Sequence, residues 1–109
     1  MEHWDINALS LDAHQPQVLR SDDETRAIVL LLPAGEELQE HQVHERAYVV
    51  VVGGEVEIDS ADGETVAGRP GLTVHFGPGE RHTVRATSTA RLLLLLSPWP
   101  GVGHPSRPA

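Results

Sequence analysis

The sequence contains no cysteine. Disulfide bridges and thiolate metal sites are therefore both excluded, and cysteine usage gives no information about the redox compartment. The sequence also has no apolar run that approaches the length of a transmembrane helix, and no N-terminal basic-then-apolar stretch typical of a signal peptide. We therefore expect a cytoplasmic protein.

Basic residues are scarce. Lys and Arg together number 8 against 16 Asp and Glu, so the formal net charge at pH 7 is -8. Because phosphate backbones and anionic membranes both attract cationic surfaces, we expect neither nucleic acid nor a membrane as a partner. With 109 residues, the chain has the size of one domain and is long enough to bury a core of its own.

A helical period with helix caps is missing as well. Instead, Gly and Pro interrupt the sequence at short intervals and separate short apolar runs, a pattern that favours a β-sandwich or barrel. The predicted strands are residues 18–21, 25–32, 48–52, 55–59, 65–67, 72–76, 82–86 and 91–96.

These strands divide the chain into parts. We assign residues 1–16 to an N-terminal segment, 17–97 to the barrel, and 98–109 to a C-terminal tail that lies on the surface or is disordered. The tail holds four prolines and two glycines, a composition that does not favour a regular element.

Three apolar runs, residues 28–32, 48–52 and 92–96, do not alternate with polar residues. An antiparallel strand with one wet face should alternate, so these strands need cover on both faces. Since a small single domain offers little to cover the second face, we predict a homodimer packed sheet against sheet. The alternative is that the terminal segments fold over these faces.

The stretch 35–54 resembles the first sequence motif of the cupin family. In that motif a Gly is followed by five residues, His, any residue, His, three or four residues, Glu, six residues and Gly. Gly35, His41 and Gly54 lie on this spacing, whereas Val43 occupies the second His position and Ala47 the Glu position.

The stretch 71–86 resembles the second cupin motif, which reads Gly, five residues, Pro, any residue, Gly, two residues, His, three residues and Asn. The residues that match are Gly71, Gly79 and His82. The departures are Gly77 at the Pro position and Ala86 at the Asn position. The two motifs in this order imply an all-β fold, the double-stranded β-helix or jelly-roll barrel with a central cavity.

The resemblance also implies a metal site, which in this family is usually held by three His and one Glu. Of these four positions, only His41 and His82 keep a ligand residue. Strand alternation places His41, Val43 and Ala47 on one face, with His44 on the other unless a bulge turns it inward.

Two hypotheses about a metal follow. If His44 turns inward, His41, His44 and His82 would form a three-His site suited to Zn, Fe, Ni, Mn or Cu. The other hypothesis is that the histidines hydrogen-bond a polar ligand without a metal, because the Glu and one His of the family are missing.

The remaining candidates are assigned by strand parity and residue type. We expect Glu40 and Glu45 to be solvated, the alternative being that one of them turns inward as a ligand or general base. His75 should face away from the cavity, and Arg81 is the best candidate to bind an acidic substrate. The expected cavity walls are Val43, Ala47, Val74, Phe76 and Val84.

The sequence therefore predicts a small cupin-barrel protein that binds a divalent metal, a small molecule or both in its cavity, with no assigned catalysis. One alternative is a metal-dependent dioxygenase or isomerase of the three-His type. Another is a metal-free dimeric scaffold. Fold alone cannot choose among them, because one fold can host all three functions.

Overall fold

The computed structural model describes residues 1–41 and 45–97, and for residues 39–41 it describes the backbone alone. In this part of the chain a short 3-10 helix, Ile6–Ala8, precedes a series of β-strands. The strands are β1 (Gln17–Ser21), β2 (Arg26–Leu32), β3 (Glu37–His41), β4 (Arg46–Gly53), β5 (Val56–Ser60), β6 (Thr65–Gly68), β7 (Thr73–Phe76), β8 (His82–Ala86) and β9 (Ala90–Ser97). The all-β prediction is confirmed.

The strands form two antiparallel sheets. One has the order β1-β2-β9-β4-β7 and the other the order β3-β8-β5-β6. Side chains alternate between the faces of each strand, so that Ala47, Val49 and Val51 of β4 are buried while Tyr48 between them is exposed. The buried faces of both sheets contribute to a single hydrophobic core, which is the arrangement of a closed double-sheeted barrel.

The turn after β4 depends on a glycine. Gly54 has a φ of 72°, in the left-handed region, and a Cβ added there would lie 2.1 Å from the carbonyl oxygen of Thr89. Only glycine adopts this conformation without cost and also leaves room for the neighbouring chain. The match of Gly54 to the first sequence motif therefore has a structural reason.

The outer face of the five-stranded sheet is apolar. Val29, Leu93 and Val50 lie directly opposite one another on neighbouring strands, and Leu95 lies beside Tyr48 in the next row on this face. These residues belong to the three runs that do not alternate in the sequence. The lack of alternation therefore reflects a second apolar face, as predicted.

The N-terminal segment covers one end of this outer face. Nη1 of Arg91 donates hydrogen bonds of 2.7 Å to the carbonyl oxygens of Ile6 and Leu9. Asn7 Nδ2 donates to the carbonyl oxygen of Val52 at 3.4 Å. Toward the other end, Tyr48 remains 43% exposed. Coverage by a terminal segment, the alternative to a dimer, is thus observed over part of the face.

The predicted strands agree with β1, β2 and β4 to β9 to within two residues at each end. The sequence reading missed β3, a mainly polar segment that pairs with β8 at the edge of the four-stranded sheet. The division into residues 1–16, 17–97 and 98–109 stays a prediction, and the last of these segments lies outside the described residues. No helix in the described ranges is long and apolar enough to cross a membrane.

Candidate functional site

His82 begins β8 and is only 3% exposed. A tight corner directs it inward: the backbone N–H of Glu80 donates to the carbonyl oxygen of Gly77 at 3.1 Å, and the Glu80 carboxylate accepts from the Gly77 N–H at 3.0 Å. Gly79 within the corner has a φ of 78°, which glycine adopts without strain. His82 shares its inward face with the buried side chains of Val84 and Ala86.

The ring of His82 is held by Phe76. The two rings are stacked with centroids 3.8 Å apart and planes 9° apart, and Phe76 is itself buried in the core. His82 Nδ1 lies 3.3 Å from the carbonyl oxygen of Glu80. Because a carbonyl can only accept a hydrogen bond, Nδ1 carries the proton, and in the neutral ring the lone pair is on Nε2. This is the tautomer that a histidine uses to bind a metal or to accept a proton at Nε2.

His41 lies directly opposite His82. It is the last residue of β3, and its Cα is paired with that of His82 after an irregularity in the register between Leu38 and His41. The two positions, far apart in the sequence, therefore meet on adjacent strands, as the two motifs predict. The side chain of His41 lies outside the described part of the structure, as do Val43 and His44.

The three-His metal site thus stays a prediction. Within residues 1–41 and 45–97, leaving out the side chains at 39–41, no group of three His, Asp or Glu residues is arranged to hold a metal ion. Two of the three predicted ligands, His41 and His44, have side chains outside the described part of the structure, so this result does not test the site.

The predicted cavity walls lie in the core. Ala47, Phe76 and Val84 are buried in the hydrophobic cluster, and Val74 packs against it. Their role as walls of a ligand cavity stays a prediction. A surface groove of about 560 Å³ lies elsewhere, near Glu55 and the residues after β6, and shares no residue with the predicted walls.

Glu45 corrects the expectation that both glutamates near His41 are solvated. It is only 3% exposed. It precedes β4 and has the same parity as the inward residues Ala47 and Val49, which accounts for its burial in an otherwise apolar face. The sequence signal was this parity, since Glu45 lies two residues before Ala47, the position where the family has its Glu.

Arg26 is a second charged residue that the sequence reading did not single out. Its Cα is paired with Leu96, whose side chain is buried in the core, and cross-strand partners project to the same face of a sheet. Its Nε atom is buried. Leu96 is paired in turn with Ala47, and Ala47 with Phe76. Arg26 therefore belongs to the inward row of residues that ends at Phe76.

The other candidates face outward. His75 is exposed, and its ring lies 4.8 Å from that of Tyr48 on the outer face, in agreement with strand alternation. Arg81, the predicted anion-binding residue, is exposed beside His82.

Several solved structures share this architecture. A conserved protein of unknown function from Streptococcus pyogenes is 24% identical, with a TM-score of 0.73 over 90% of both chains. An RmlC-like cupin from Desulfovibrio desulfuricans is 20% identical, with a TM-score of 0.78 over 90% of this chain and 96% of its own. An RmlC-like cupin family protein with a double-stranded β-helix fold, from Methanocaldococcus jannaschii, is 18% identical, with a TM-score of 0.71 over 84% and 88% of the two chains.

At these identities the likeness concerns the fold, and it confirms the double-stranded β-helix predicted from the two motifs. No curated protein matches the chain. The family model of the cupin domain matches residues 27–97, which include both motifs and most of the strands. This chain therefore belongs to the cupin family.

Proposed function

We propose that this small cupin barrel binds a divalent transition metal ion at the end where His82 lies, and that it holds a small molecule beside the ion. Metal and ligand binding are typical of cupins. The observation that carries the proposal is the placement of His82, a buried imidazole whose Nδ1 is hydrogen-bonded to a backbone carbonyl, so that the neutral ring presents its lone pair at Nε2.

The charged groups near His82 fit a divalent ion. The sequence raised one objection to a metal, because Ala47 replaces the Glu of the family and removes a negative charge. Glu45 answers this objection, since it supplies a buried carboxylate on the same strand face, two residues nearer the end of the barrel. Imidazole and carboxylate together suit Zn, Mn, Fe or Ni.

We propose His82, His41 and Glu45 as metal-holding residues, with His44 as a further donor. A bound divalent ion would supply Lewis acidity toward an oxygen atom of the small molecule. The described residues do not distinguish a dioxygenase or isomerase from a protein that only binds, so we assign no reaction. The cytoplasm stays the expected compartment.

The test is metal analysis of protein purified without a histidine tag, followed by calorimetric titration with Zn²⁺ and Mn²⁺. We expect about one equivalent of metal per chain after reconstitution, and less than about a tenth of an equivalent in His82→Ala. His75→Ala is the matched control, because His75 is exposed on the outer face, and this variant should bind like the wild type.

Two results would contradict the proposal. One is a wild-type protein that takes up no more metal than His82→Ala after reconstitution. The other is an equal loss in His75→Ala and His82→Ala, which would place binding on surface histidines.

We also propose that the protein is a homodimer through the outer face of the five-stranded sheet. The support is the outward-facing side chains of Leu93, Val50 and Leu95, which are only partly buried, and the 43% exposed Tyr48 beside Leu95. Large apolar patches are rare on monomers, and a two-fold axis through such a face would cover it with its own copy.

A further inference from the structure

We propose that Arg26 is an anion-binding residue of the barrel and that the small molecule held there carries a carboxylate. The inference rests on the proposed function, because it names the chemical class of the ligand for the same end of the barrel. It is supported by the inward position of Arg26, a residue that the cupin motifs do not include.

The side chain of Arg26 points toward the interior of the barrel. Arg26, Ile28 and Leu32 alternate along β2 on one face, and Ile28 and Leu32 both belong to or pack against the core. The register between β2 and β9 is regular along its whole length, so no bulge turns Arg26 outward. Its buried Nε agrees with this direction.

Arg26 belongs to the same row of residues as Phe76, the residue that is stacked on His82. Arg26 begins β2, and its row runs through Leu96 and Ala47 to Phe76. Three strand spacings separate Arg26 from Phe76, which is about 14 Å along the sheet and less across a curved barrel. The proposal therefore places a molecule of several carbon atoms between Arg26 and the His82 site, in the cavity that the cupin motifs predict.

Several arginines of this acidic chain are neutralised by pairing at the surface. The chain carries a net charge of -8, and several of its arginines are paired with surface acids: Arg20 with Glu2, Arg69 with Glu55, and Arg85 with Glu57. Such pairs leave the protein surface unattractive to an acidic molecule. Arg26 differs from these three in its position, because its side chain points toward the interior, where electrostatic attraction is less screened.

The guanidinium of Arg26 has more N–H donors than one carboxylate needs. A guanidinium has five N–H donors in a planar fork that matches a carboxylate with two parallel hydrogen bonds. Glu45 lies two residues before Ala47, which belongs to the row of Arg26, and β4 is the second strand from β2 in the sheet. A guanidinium that pairs with the Glu45 carboxylate still has N–H donors for a second carboxylate. Arg26 can therefore bind Glu45 and an acidic ligand at the same time.

The competing explanation is that Arg26 only balances the buried charge of Glu45. A purely structural ion pair predicts that removing Arg26 lowers stability and leaves ligand binding unaffected. An anion-binding role predicts a selective loss of binding to carboxylates. These two predictions can be separated with small probes.

The experiment titrates the zinc-reconstituted protein with acetate, succinate, 2-oxoglutarate and benzoate, and with acetamide, succinamide and benzamide as uncharged counterparts, using calorimetry. We expect at least one carboxylate to bind, and its amide to bind at least about tenfold more weakly, since a charge-assisted bidentate contact is lost. Arg26→Gln should weaken the carboxylate by about tenfold or more.

Arg26→Lys keeps the charge and removes the fork, so it should give an intermediate affinity. Arg46→Gln is the matched control, because Arg46 lies exposed on β4, and its affinity should equal that of the wild type. Circular dichroism verifies folding, and if Arg26→Gln does not fold, the comparison of Arg26→Lys with the wild type decides.

The inference is overturned if no carboxylate of the panel binds, or if the Arg26 variants bind as tightly as the wild type. Zinc titration of the same samples separates this result from failure of the proposed function. A protein that binds zinc but no carboxylate refutes the inference alone. A protein that binds carboxylate through Arg26 but no zinc refutes the metal site and leaves the inference intact.

Discussion

At the scale of single residues, three charged or polar side chains of the described residues face the interior of the barrel, where such groups are rare. They are the imidazole of His82, the carboxylate of Glu45 and the guanidinium of Arg26. The neighbouring core residues, including Phe76, are apolar. Each is costly to withdraw from water. A few polar groups that face an otherwise apolar interior are what the proposed binding function needs.

The role of Glu45 can be tested by removing its charge alone. Glu45→Gln keeps the shape of the side chain but loses the negative charge that favours a divalent ion. We therefore expect its affinity for Zn²⁺ to fall by about tenfold or more, measured by competition with a chromogenic chelator. Glu37→Gln, at an exposed position of β3, is the control and should bind Zn²⁺ like the wild type. Equal affinities for wild type and Glu45→Gln would show that Glu45 does not hold the metal.

The sequence predicted part of this site. Motif spacing was sufficient to pair positions 41 and 82, because the family fixes which strands are adjacent. It did not reveal Glu45 and Arg26, since charged residues are expected at the surface and their burial depends on the register of β2, β4 and β9. Counting parity backward from Ala47 would have found Glu45, whereas Arg26 required the pairing with Leu96.

At the scale of secondary-structure elements, glycines and prolines located most strands because they mark the turns. The strands from β4 to β8 are separated by such residues and were predicted well. The turn before β9, residues 87–89, has neither, and that strand was located by its apolar run. β3 was missed because Glu37, Gln39 and Glu40 give it a polar composition that does not distinguish a strand from a loop. Its strand conformation comes from pairing with β8, a contact between residues distant in the sequence.

The turn between β4 and β5 provides a prediction at this scale. Gly54→Ala should destabilise the protein by more than about 3 kcal/mol, because it adds a close contact with the Thr89 carbonyl to the cost of a left-handed backbone. Gly63→Ala is the matched control: its φ is 93°, yet a Cβ there would meet nothing within 4 Å. It should cost only about 1–2 kcal/mol.

Urea unfolding followed by circular dichroism measures both variants. A Gly54→Ala variant no less stable than Gly63→Ala would mean that the chain near Thr89 moves aside at little cost. The close approach at this turn would then not explain why glycine occupies the position.

At the scale of the whole molecule, the described residues 1–41 and 45–97 cover the outer face of the five-stranded sheet only in part. Hydrogen bonds from Arg91 to the carbonyl oxygens of Ile6 and Leu9 anchor the N-terminal segment over one end of the face. Toward the other end, Tyr48 and its neighbour His75 are exposed. This division suggests that a second copy would dock mainly on the end near Tyr48.

The dimer is tested by light scattering coupled to size-exclusion chromatography at micromolar concentration. The wild type should elute at twice the chain mass of 11.8 kDa. Tyr48→Asp should shift the mass to that of one chain, because two copies would bury like charges against an apolar surface. Val18→Asp is the matched control. Val18 is equally exposed at 43%, but it is paired with Ile28, which packs against the core, so Val18 lies on the inner face of the sheet and not on the outer face. A monomeric wild type would exclude the dimer, and dissociation of both variants alike would move the interface away from Tyr48.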